Sequence, residues 1–238
     1  MSEHDPQSDL ASLGEVSLPA LRRRLAERLD PLDSAERNKA EQVGSDYDLN
    51  PAARPARQPS TAPAAVLAPI VVRPEGLSVI LTRRADSLTR HSGQIAFPGG
   101  RLDPGETWVE AALREAHEEI GLDPGFVEPI GLSTRYETVS AYQITPVVAL
   151  LTAGFTLAAS PLEVAEIFEV PFQYLMTPSN YRRESIERDR QVRSFYAISW
   201  GGYYIWGATA GMLRALSLRL LGQPAEDQKL SCAVSGPG

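Results

Sequence analysis

The chain has 238 residues, of which 43% are hydrophobic and 22% are charged, a composition that can support a folded core. Its 23 basic and 30 acidic residues give a net charge of −7, which argues against sequence-independent nucleic-acid binding because such binding needs surplus Lys and Arg. The single cysteine, Cys232, excludes an intrachain disulfide and a multi-cysteine zinc site. No apolar run is long enough to span a bilayer, and the polar N-terminus is unlike a secretory signal. We therefore expect a cytoplasmic protein without nucleic-acid or membrane partners.

Composition divides the chain into three regions. Residues 1–60 form an N-terminal extension, in which the leucine spacing of 17–29 predicts an amphipathic helix and the Pro- and Ala-rich stretch 46–63 predicts an extended linker. The helix could dock on the main domain or use its basic face for a membrane contact, and we favour docking. We expect the main domain at 61–222 and a loose tail at 223–238.

The main domain mixes strands with two long helices. Segments 64–72 and 77–84 are rich in β-branched residues and flank a short Gly-containing turn, which predicts an antiparallel hairpin. Further strand-like segments lie within 126–138, 142–151, 160–176 and 195–207. The two long helices are expected at 107–120 and 208–221. This mixture predicts a sandwich of the α/β or α+β class.

The helix at 107–120 has signals at both of its ends. Thr107 and Glu110 have the spacing of a capping box, in which each side chain bonds the backbone N–H of the other residue. Gly121 stands where a left-handed C-terminal cap is expected. The boundaries of this helix are therefore the best defined in the chain.

Three glutamates share one face of this helix. Glu115, Glu118 and Glu119 stand at positions i, i+3 and i+4, where like charges repel. The face could simply be solvated, but a bound cation would also offset the repulsion. Carboxylates without a Cys or His cluster favour a hard ion, here Mg²⁺ or Mn²⁺. The glycine-rich loop before the helix supports the metal interpretation, because glycine lets backbone approach a ligand closely.

From Gly100 onward the residues fit the Nudix box, G-x5-E-x7-R-E-U-x-E-E-x-G-U, in which U is apolar. The matching positions are Gly100, Glu106, Arg114, Glu115, Ala116, Glu118, Glu119, Gly121 and Leu122. The chain thus resembles the Nudix hydrolase superfamily, which implies an α/β/α sandwich with a mixed β-sheet and hydrolysis of a nucleoside diphosphate linked to another group. The resemblance further implies that Glu115, Glu118 and Glu119 bind the metal, with Glu115 and Glu119 as primary ligands. It also implies that Glu106 and Arg114 brace the loop against the helix.

The segment before the box narrows the substrate. Residues 80–100 resemble the pattern L-L-T-x-R-[SA]-x3-R-x3-G-x3-F-P-G-G of coenzyme A pyrophosphatases. Arg84 and Gly93 match this pattern, whereas Thr89 stands in place of its second arginine and is followed by Arg90. The resemblance implies a substrate-binding set of Arg84, Arg90, Gly99 and Gly100. Guanidinium groups suit this task because they bind phosphates through two parallel hydrogen bonds.

The sequence therefore predicts metal-dependent hydrolysis of the pyrophosphate bond of coenzyme A or its derivatives. The products would be 4′-phosphopantetheine, or its acyl form, and adenosine 3′,5′-bisphosphate. A carboxylate takes the proton of the attacking water, and Glu118, Glu163 and Glu166 are the candidates. Two alternatives stay open: a Nudix diphosphatase acting on ADP-ribose or NADH, and a non-catalytic Nudix binding module, against which the complete glutamate set argues. The sequence leaves the oligomeric state open, with a homodimer among the alternatives.

Overall fold

A computed structural model describes residues 18–33, 44–55, 61–86, 93–188 and 191–223. Four parts of the sequence-based predictions lie outside these ranges: the first residue of the predicted N-terminal helix, residues 56–60 of the predicted linker, Arg90, and the tail beyond residue 223. These predictions stay as they are.

The α-helices are α1 (Leu18–Arg28), α2 (Trp108–Ile120), α3 (Phe172–Leu175) and α4 (Ala208–Leu221). The strands are β1 (Gly44–Ser45), β2 (Ala62–Arg73), β3 (Gly76–Arg84), β4 (Ile95–Ala96), β5 (Gly99–Arg101), β6 (Val127–Leu132), β7 (Tyr136–Glu137), β8 (Tyr142–Leu151), β9 (Val164–Pro171), β10 (Arg182–Arg188), β11 (Gln191–Trp200) and β12 (Tyr203–Trp206). None of the described helices has both the length and the apolar character needed to cross a bilayer.

A nine-stranded mixed sheet forms the centre of the fold, with the strand order β1-β7-β8-β2-β3-β4. Strands β5, β6 and β9 add to it beside β2, β8 and β3. The predicted hairpin is confirmed, because β2 and β3 pair antiparallel, while β2 and β8 run parallel. Strands β10, β11 and β12 form a separate antiparallel sheet. Its β11–β12 hairpin matches the prediction for 195–207, whereas β10 was not predicted.

Each face of the large sheet packs against its own hydrophobic cluster. Alternation along β3 sends Val79 and Leu81 to one cluster and Ile80 to the other. The first cluster contains side chains of α1, α4 and the small sheet, and the second contains side chains of α2. We call these two sides the α4 face and the α2 face. The predicted α/β/α sandwich with a mixed sheet is therefore confirmed.

The N-terminal helix α1 docks on the domain, as we favoured from its sequence. Leu21 and Leu25 are each only 1% exposed and join the cluster on the α4 face. After the helix, Asp30 and Leu132 exchange two backbone hydrogen bonds, of 2.9 and 2.8 Å. The apolar stripe that predicted the helix is thus the surface that buries it.

The prediction of an extended linker over 46–63 was wrong for residues 46–50, which pack against the domain. Strand β1 pairs with β7 just before this segment, and Tyr47 is buried. The Asn50 side chain donates to the Ser194 carbonyl at 2.8 Å and accepts from the Ser194 amide at 2.7 Å. Composition could not reveal this packing, because these contacts join residues far apart in the chain. The boundary between residues 60 and 61 stays a prediction.

Candidate active site

Helix α2 begins and ends where the sequence places it. The Thr107 hydroxyl accepts the Glu110 amide at 3.2 Å, and the Glu110 carboxylate accepts the Thr107 amide at 2.8 Å. Gly121 closes the helix with φ of 64° and donates to the His117 carbonyl. Both caps are therefore confirmed. They fix the rotation and length of the helix that carries the glutamates.

Burial separates the three glutamates of α2. The Glu118 side chain is 56% exposed, the Glu115 side chain 18% and the Glu119 side chain 5%. Ala112 and Ala116, on the same helix, are buried in the cluster of the α2 face and let the backbone approach the sheet. Glu115 and Glu119 consequently lie between helix and sheet, and Glu118 lies at the surface.

Glu119 is a buried carboxylate whose negative charge is only partly stabilised by its neighbours. Its Oε2 accepts the Gly99 amide at 3.1 Å, and its Oε1 lies 3.8 Å from Nη1 of Arg84. Burial raises the pKa of Glu119 to about 7, with Glu115 and Glu163 adding repulsion against the partial relief from Gly99 and Arg84. Such a group gains from any additional positive charge placed beside it.

The pKa of Glu115 is also raised, but by less than that of Glu119. Burial raises its pKa, and the neighbouring charges of Glu118 and Glu163 raise it further. Arg114 opposes this effect by donating from Nη1 to Glu115 at 2.9 Å and to Glu118 at 3.3 Å. The carboxylates of the helix therefore repel one another, and Arg114 partly offsets the repulsion at Glu115 as Arg84 does at Glu119.

Two glycines allow strand β5 to pass close to these carboxylates. A Cβ atom at Gly100 would overlap the Glu115 carboxylate. Gly99 has φ of 153°, and a Cβ there would overlap the backbone of Ala65 and Val66. In the structure both glycines thus support the buried glutamates. The predicted role of Gly99 and Gly100 in substrate binding stays a prediction.

The predicted pair of Arg114 and Glu106 is present. Nε and Nη2 of Arg114 donate to the two oxygens of Glu106 at 2.8 and 2.9 Å, and Nη2 also donates to the Arg101 carbonyl at 3.0 Å. Glu106 accepts the Asp103 amide at 2.8 Å as well. The hydrogen bonds from Arg114 lower the pKa of Glu106. Three of these hydrogen bonds tie the segment before α2 to the helix, and the fourth lies within the loop.

Arg84 points from the end of β3 towards the α2 glutamates. Its Nε atom is buried and has no hydrogen-bond partner within the described part of the chain. Its one ion pair there is the 3.8 Å approach to Glu119. A buried donor without an acceptor is costly, so this guanidinium is suited to an anionic ligand. Arg90 lies outside the described residues.

The structure brings Glu163, but not Glu166, together with the carboxylates of α2. Glu163 is exposed and close enough to raise the pKa values of Glu115 and Glu119. Glu166 lies opposite Arg83 in the β3–β9 pairing and accepts the Tyr203 hydroxyl at 2.5 Å. Glu163 lies in the turn before β9 and Glu166 lies within the strand, so the spacing of the two residues in the sequence did not signal this separation.

The residue types at this site fit a hard divalent cation. Glu115, Glu119 and Glu163 offer only oxygen donors and repel one another, which is the chemistry that such a cation satisfies. Across the described ranges, no three carboxylate, His or Cys side chains converge into a finished metal cage. Arg114 instead engages Glu115 and Glu118. The carboxylate oxygens are thus the right kind of ligand for such a cation, and in this structure Arg114 is the positive charge beside Glu115 and Glu118.

Comparisons with known proteins show which family this chain resembles. A NUDIX domain model matches residues 61–185. The "Uncharacterized Nudix hydrolase NudL" of Enterobacter sp. (strain 638) is 39% identical over 158 residues, which is 66% of this chain and 82% of that protein. Its namesake from Pectobacterium atrosepticum is 37% identical over 177 residues, or 74% and 91% of the two chains.

Among solved structures, the Nudix hydrolase RenU from M. smegmatis aligns with 48% of this chain and 72% of its own, at 26% identity and a TM-score of 0.41.

The family model covers more than half of the chain, and the similarity to the NudL proteins spans most of their length. Nudix hydrolases generally use divalent metal ions. The chain belongs to the Nudix family and is a pyrophosphohydrolase that acts on nucleoside diphosphate derivatives.

Proposed function

We propose that this enzyme hydrolyses the pyrophosphate bond of coenzyme A or its derivatives. The products would be 4′-phosphopantetheine, or its acyl form, and adenosine 3′,5′-bisphosphate. The segment at residues 80–100, which resembles the coenzyme A pyrophosphatase pattern, distinguishes this substrate from other nucleoside diphosphates. The Nudix box alone would suit any of them.

The observation that carries the proposal is the position of Arg84. This arginine belongs to the coenzyme A pattern, and its guanidinium lies beside the α2 carboxylates with a buried, unpartnered Nε. Coenzyme A carries a pyrophosphate and a 3′-phosphate, both of which a guanidinium can bind through charge-assisted hydrogen bonds. Arg90 is proposed as the second phosphate-binding residue, on its sequence position alone.

The α2 glutamates would hold Mg²⁺ or Mn²⁺ through Glu115 and Glu119, with Glu118 as the exposed third ligand. When bound, the metal would neutralise phosphate oxygens and make a water more acidic. Arg84 would hold a phosphate of the substrate. Among the candidate bases we favour Glu163, because it is exposed and faces the α2 carboxylates.

The reaction balances with these groups. The oxygen of water forms a bond to phosphorus, and the bond between that phosphorus and the bridging oxygen breaks. The carboxylate of Glu163 takes the proton from the attacking water. The bridging oxygen leaves on the second phosphate, which departs with its half of the substrate.

The test is a hydrolysis panel of coenzyme A, dephospho-coenzyme A, NADH and ADP-ribose, with Mg²⁺ or Mn²⁺ and identification of the products. We expect kcat/KM to be highest for coenzyme A. Dephospho-coenzyme A, which lacks only the 3′-phosphate, should be about ten- to a hundredfold poorer if an arginine contacts that group. Faster cleavage of ADP-ribose or NADH would contradict the proposed substrate. Failure to hydrolyse any of the four with either metal would favour a binding module.

A further inference from the structure

The end of β3 places two consecutive arginines on opposite faces of the sheet. Opposite β9, Arg83 pairs with Glu166, but Arg84 pairs with Val164, so the register shifts between the two arginines. The residue skipped by this shift is Ala165, so the bulge lies in β9, beside Glu166 and opposite the two arginines. A bulge bends the strand that contains it, and bulges are common beside active sites. The direction of Arg84 therefore depends on how the end of β3 is held against this bulge.

On the α4 face, a connected set of side chains holds Arg83. The Tyr203 hydroxyl donates to Oε1 of Glu166 at 2.5 Å, and Nε of Arg83 donates to Oε2 of Glu166 at 3.4 Å. Nη1 of Arg83 also donates to Asp86 at 3.2 Å. The Tyr203 ring stacks on Phe168 with 3.7 Å between the ring centroids. Arg83 is thus fixed both to the neighbouring strand and to the small sheet above it.

On the α2 face, the Arg84 side chain is held only weakly. Its backbone bonds to Gln94 and Gly93, at 2.9 and 3.2 Å, but its guanidinium has the 3.8 Å approach to Glu119 and the unpartnered Nε. The side chain therefore takes its direction from the backbone at the end of β3, opposite the bulge in β9. That backbone is continuous with Arg83, the residue held on the other side.

We infer that Glu166 and Tyr203 are positioning residues, which hold Arg83 and thereby direct Arg84 towards the substrate. Neither residue touches the reacting phosphate in this scheme. The inference rests on the proposed role of Arg84 in binding a substrate phosphate. It gives Glu166 a different role from proton acceptor and therefore a different kinetic effect.

The experiment compares Glu166→Gln and Tyr203→Phe with the wild-type enzyme, and repeats both substitutions in an Arg84→Ala background. KM and kcat are measured at saturating Mg²⁺ with coenzyme A and with ADP-ribose. In the presence of Arg84, each substitution should raise KM by up to about tenfold, the effect of one misplaced hydrogen-bonding group, and leave kcat within about twofold. In the Arg84→Ala background the same substitutions should raise KM no further.

The chain offers a matched control on the outer side of the small sheet. There the Tyr204 hydroxyl donates to Glu184 at 2.7 Å, a tyrosine–glutamate hydrogen bond like that between Tyr203 and Glu166. Tyr204→Phe and Glu184→Gln should leave KM and kcat at the wild-type values. A KM change from these controls equal to that from Glu166→Gln would mean that the effect is not specific to the Arg83 contacts, and would overturn the inference.

Two further outcomes would overturn it. A large fall in kcat at unchanged KM in Glu166→Gln would make Glu166 a participant in the chemical step. An equal rise in KM with and without Arg84 would show that Glu166 does not act through Arg84. Preference for ADP-ribose over coenzyme A would contradict only the proposed substrate, because the comparison of KM and kcat is then made with ADP-ribose.

Discussion

The two faces of the sheet surround neighbouring arginines in opposite ways. On the α4 face, Arg83 is hydrogen-bonded to Glu166 and Asp86. On the α2 face, Arg84 approaches one carboxylate at 3.8 Å and keeps a buried Nε without a partner. Buried polar groups in folded proteins are nearly always paired. Arg83 is therefore satisfied by partners within the chain, and Arg84, which keeps a donor without a partner, is the better candidate for binding a ligand.

The acidic residues around α2 show a similar contrast between a group paired within the chain and a group whose pairing is incomplete. Hydrogen bonds from Arg114 lower the pKa of Glu106, whereas burial raises the pKa of Glu119 to about 7. The first carboxylate is stabilised within the chain, whereas the second is only partly stabilised by Gly99 and Arg84, which suits the proposed binding of a cation. The following predictions test whether the α2 face performs the chemistry and the α4 face only supports it.

The largest effect is expected from the proposed metal ligands. Glu119→Gln and Glu115→Gln keep the side-chain size but remove the charge, so kcat should fall by about a thousandfold while the fold persists. Steady-state kinetics at saturating Mg²⁺, with circular dichroism for the fold, measure this. The exposed Glu187→Gln on β10 is the control and should keep normal turnover. Near-normal turnover of both variants would refute this metal site.

A somewhat smaller effect is expected from the proposed base. Glu163→Gln should lower kcat by about a hundredfold or more, since general base catalysis contributes at least that much. Glu166→Gln, on the opposite face, should retain kcat. Single-turnover rates of the two variants make the comparison independent of product release. If the two variants lose kcat in the reverse order, Glu166 is the base and the contrast between the faces fails.

The next effect concerns substrate binding. Arg84→Ala should reduce kcat/KM for coenzyme A by about ten- to a hundredfold, the value of a charge-assisted hydrogen bond. If this arginine contacts the 3′-phosphate, the variant should also lose its preference for coenzyme A over dephospho-coenzyme A. Arg90→Ala is measured in the same way, and Arg182→Ala on the exposed strand β10 serves as control. Unchanged kcat/KM in Arg84→Ala would remove it from the binding site.

A stability effect is expected from the paired residues. Arg114→Ala removes the hydrogen bonds to Glu106 and should lower the free energy of unfolding by about 1–2 kcal/mol, a charged-pair value reduced for partial exposure. Urea denaturation of Arg114→Ala, Glu106→Gln and the double variant gives the coupling energy. Strictly additive losses would mean that the pair does not act as a unit.

The smallest effect is a pH dependence of stability without metal. Because burial raises the pKa of Glu119 from 4.5 to about 7, the folded state binds more protons than the unfolded state between these values. Stability should therefore fall as pH rises through this window. In EDTA at pH 8, Glu119→Gln should be more stable than the wild type by at least about 1 kcal/mol, the value of one pKa unit, and near pH 4 the difference should vanish. Parallel stability curves for the two proteins across this range would contradict the prediction.

Most elements of the fold were predictable because their signals are local. The capping box and Gly121 mark α2, and β-branched segments mark the first hairpin. Strand β10 was missed because its sequence, Arg182–Arg188, is mostly charged and lacks an apolar alternation. The segment around Tyr47 was missed because its partners lie far along the chain. An element held by distant contacts leaves little trace in its own composition.

The features of the candidate site also fall into two groups, those predictable from local sequence and those that depend on distant contacts. The sequence by itself determined that Glu115, Glu118 and Glu119 share a helix face, because helical geometry follows from spacing along the chain. The pairing of Arg114 with Glu106 was implied by the resemblance to the Nudix box. Only the tertiary structure decided that Glu119 is buried, that Arg84 approaches it, and that Glu163 rather than Glu166 joins them. Burial and the choice of sheet face depend on how distant strands and helices pack, and spacing within one segment does not contain that information.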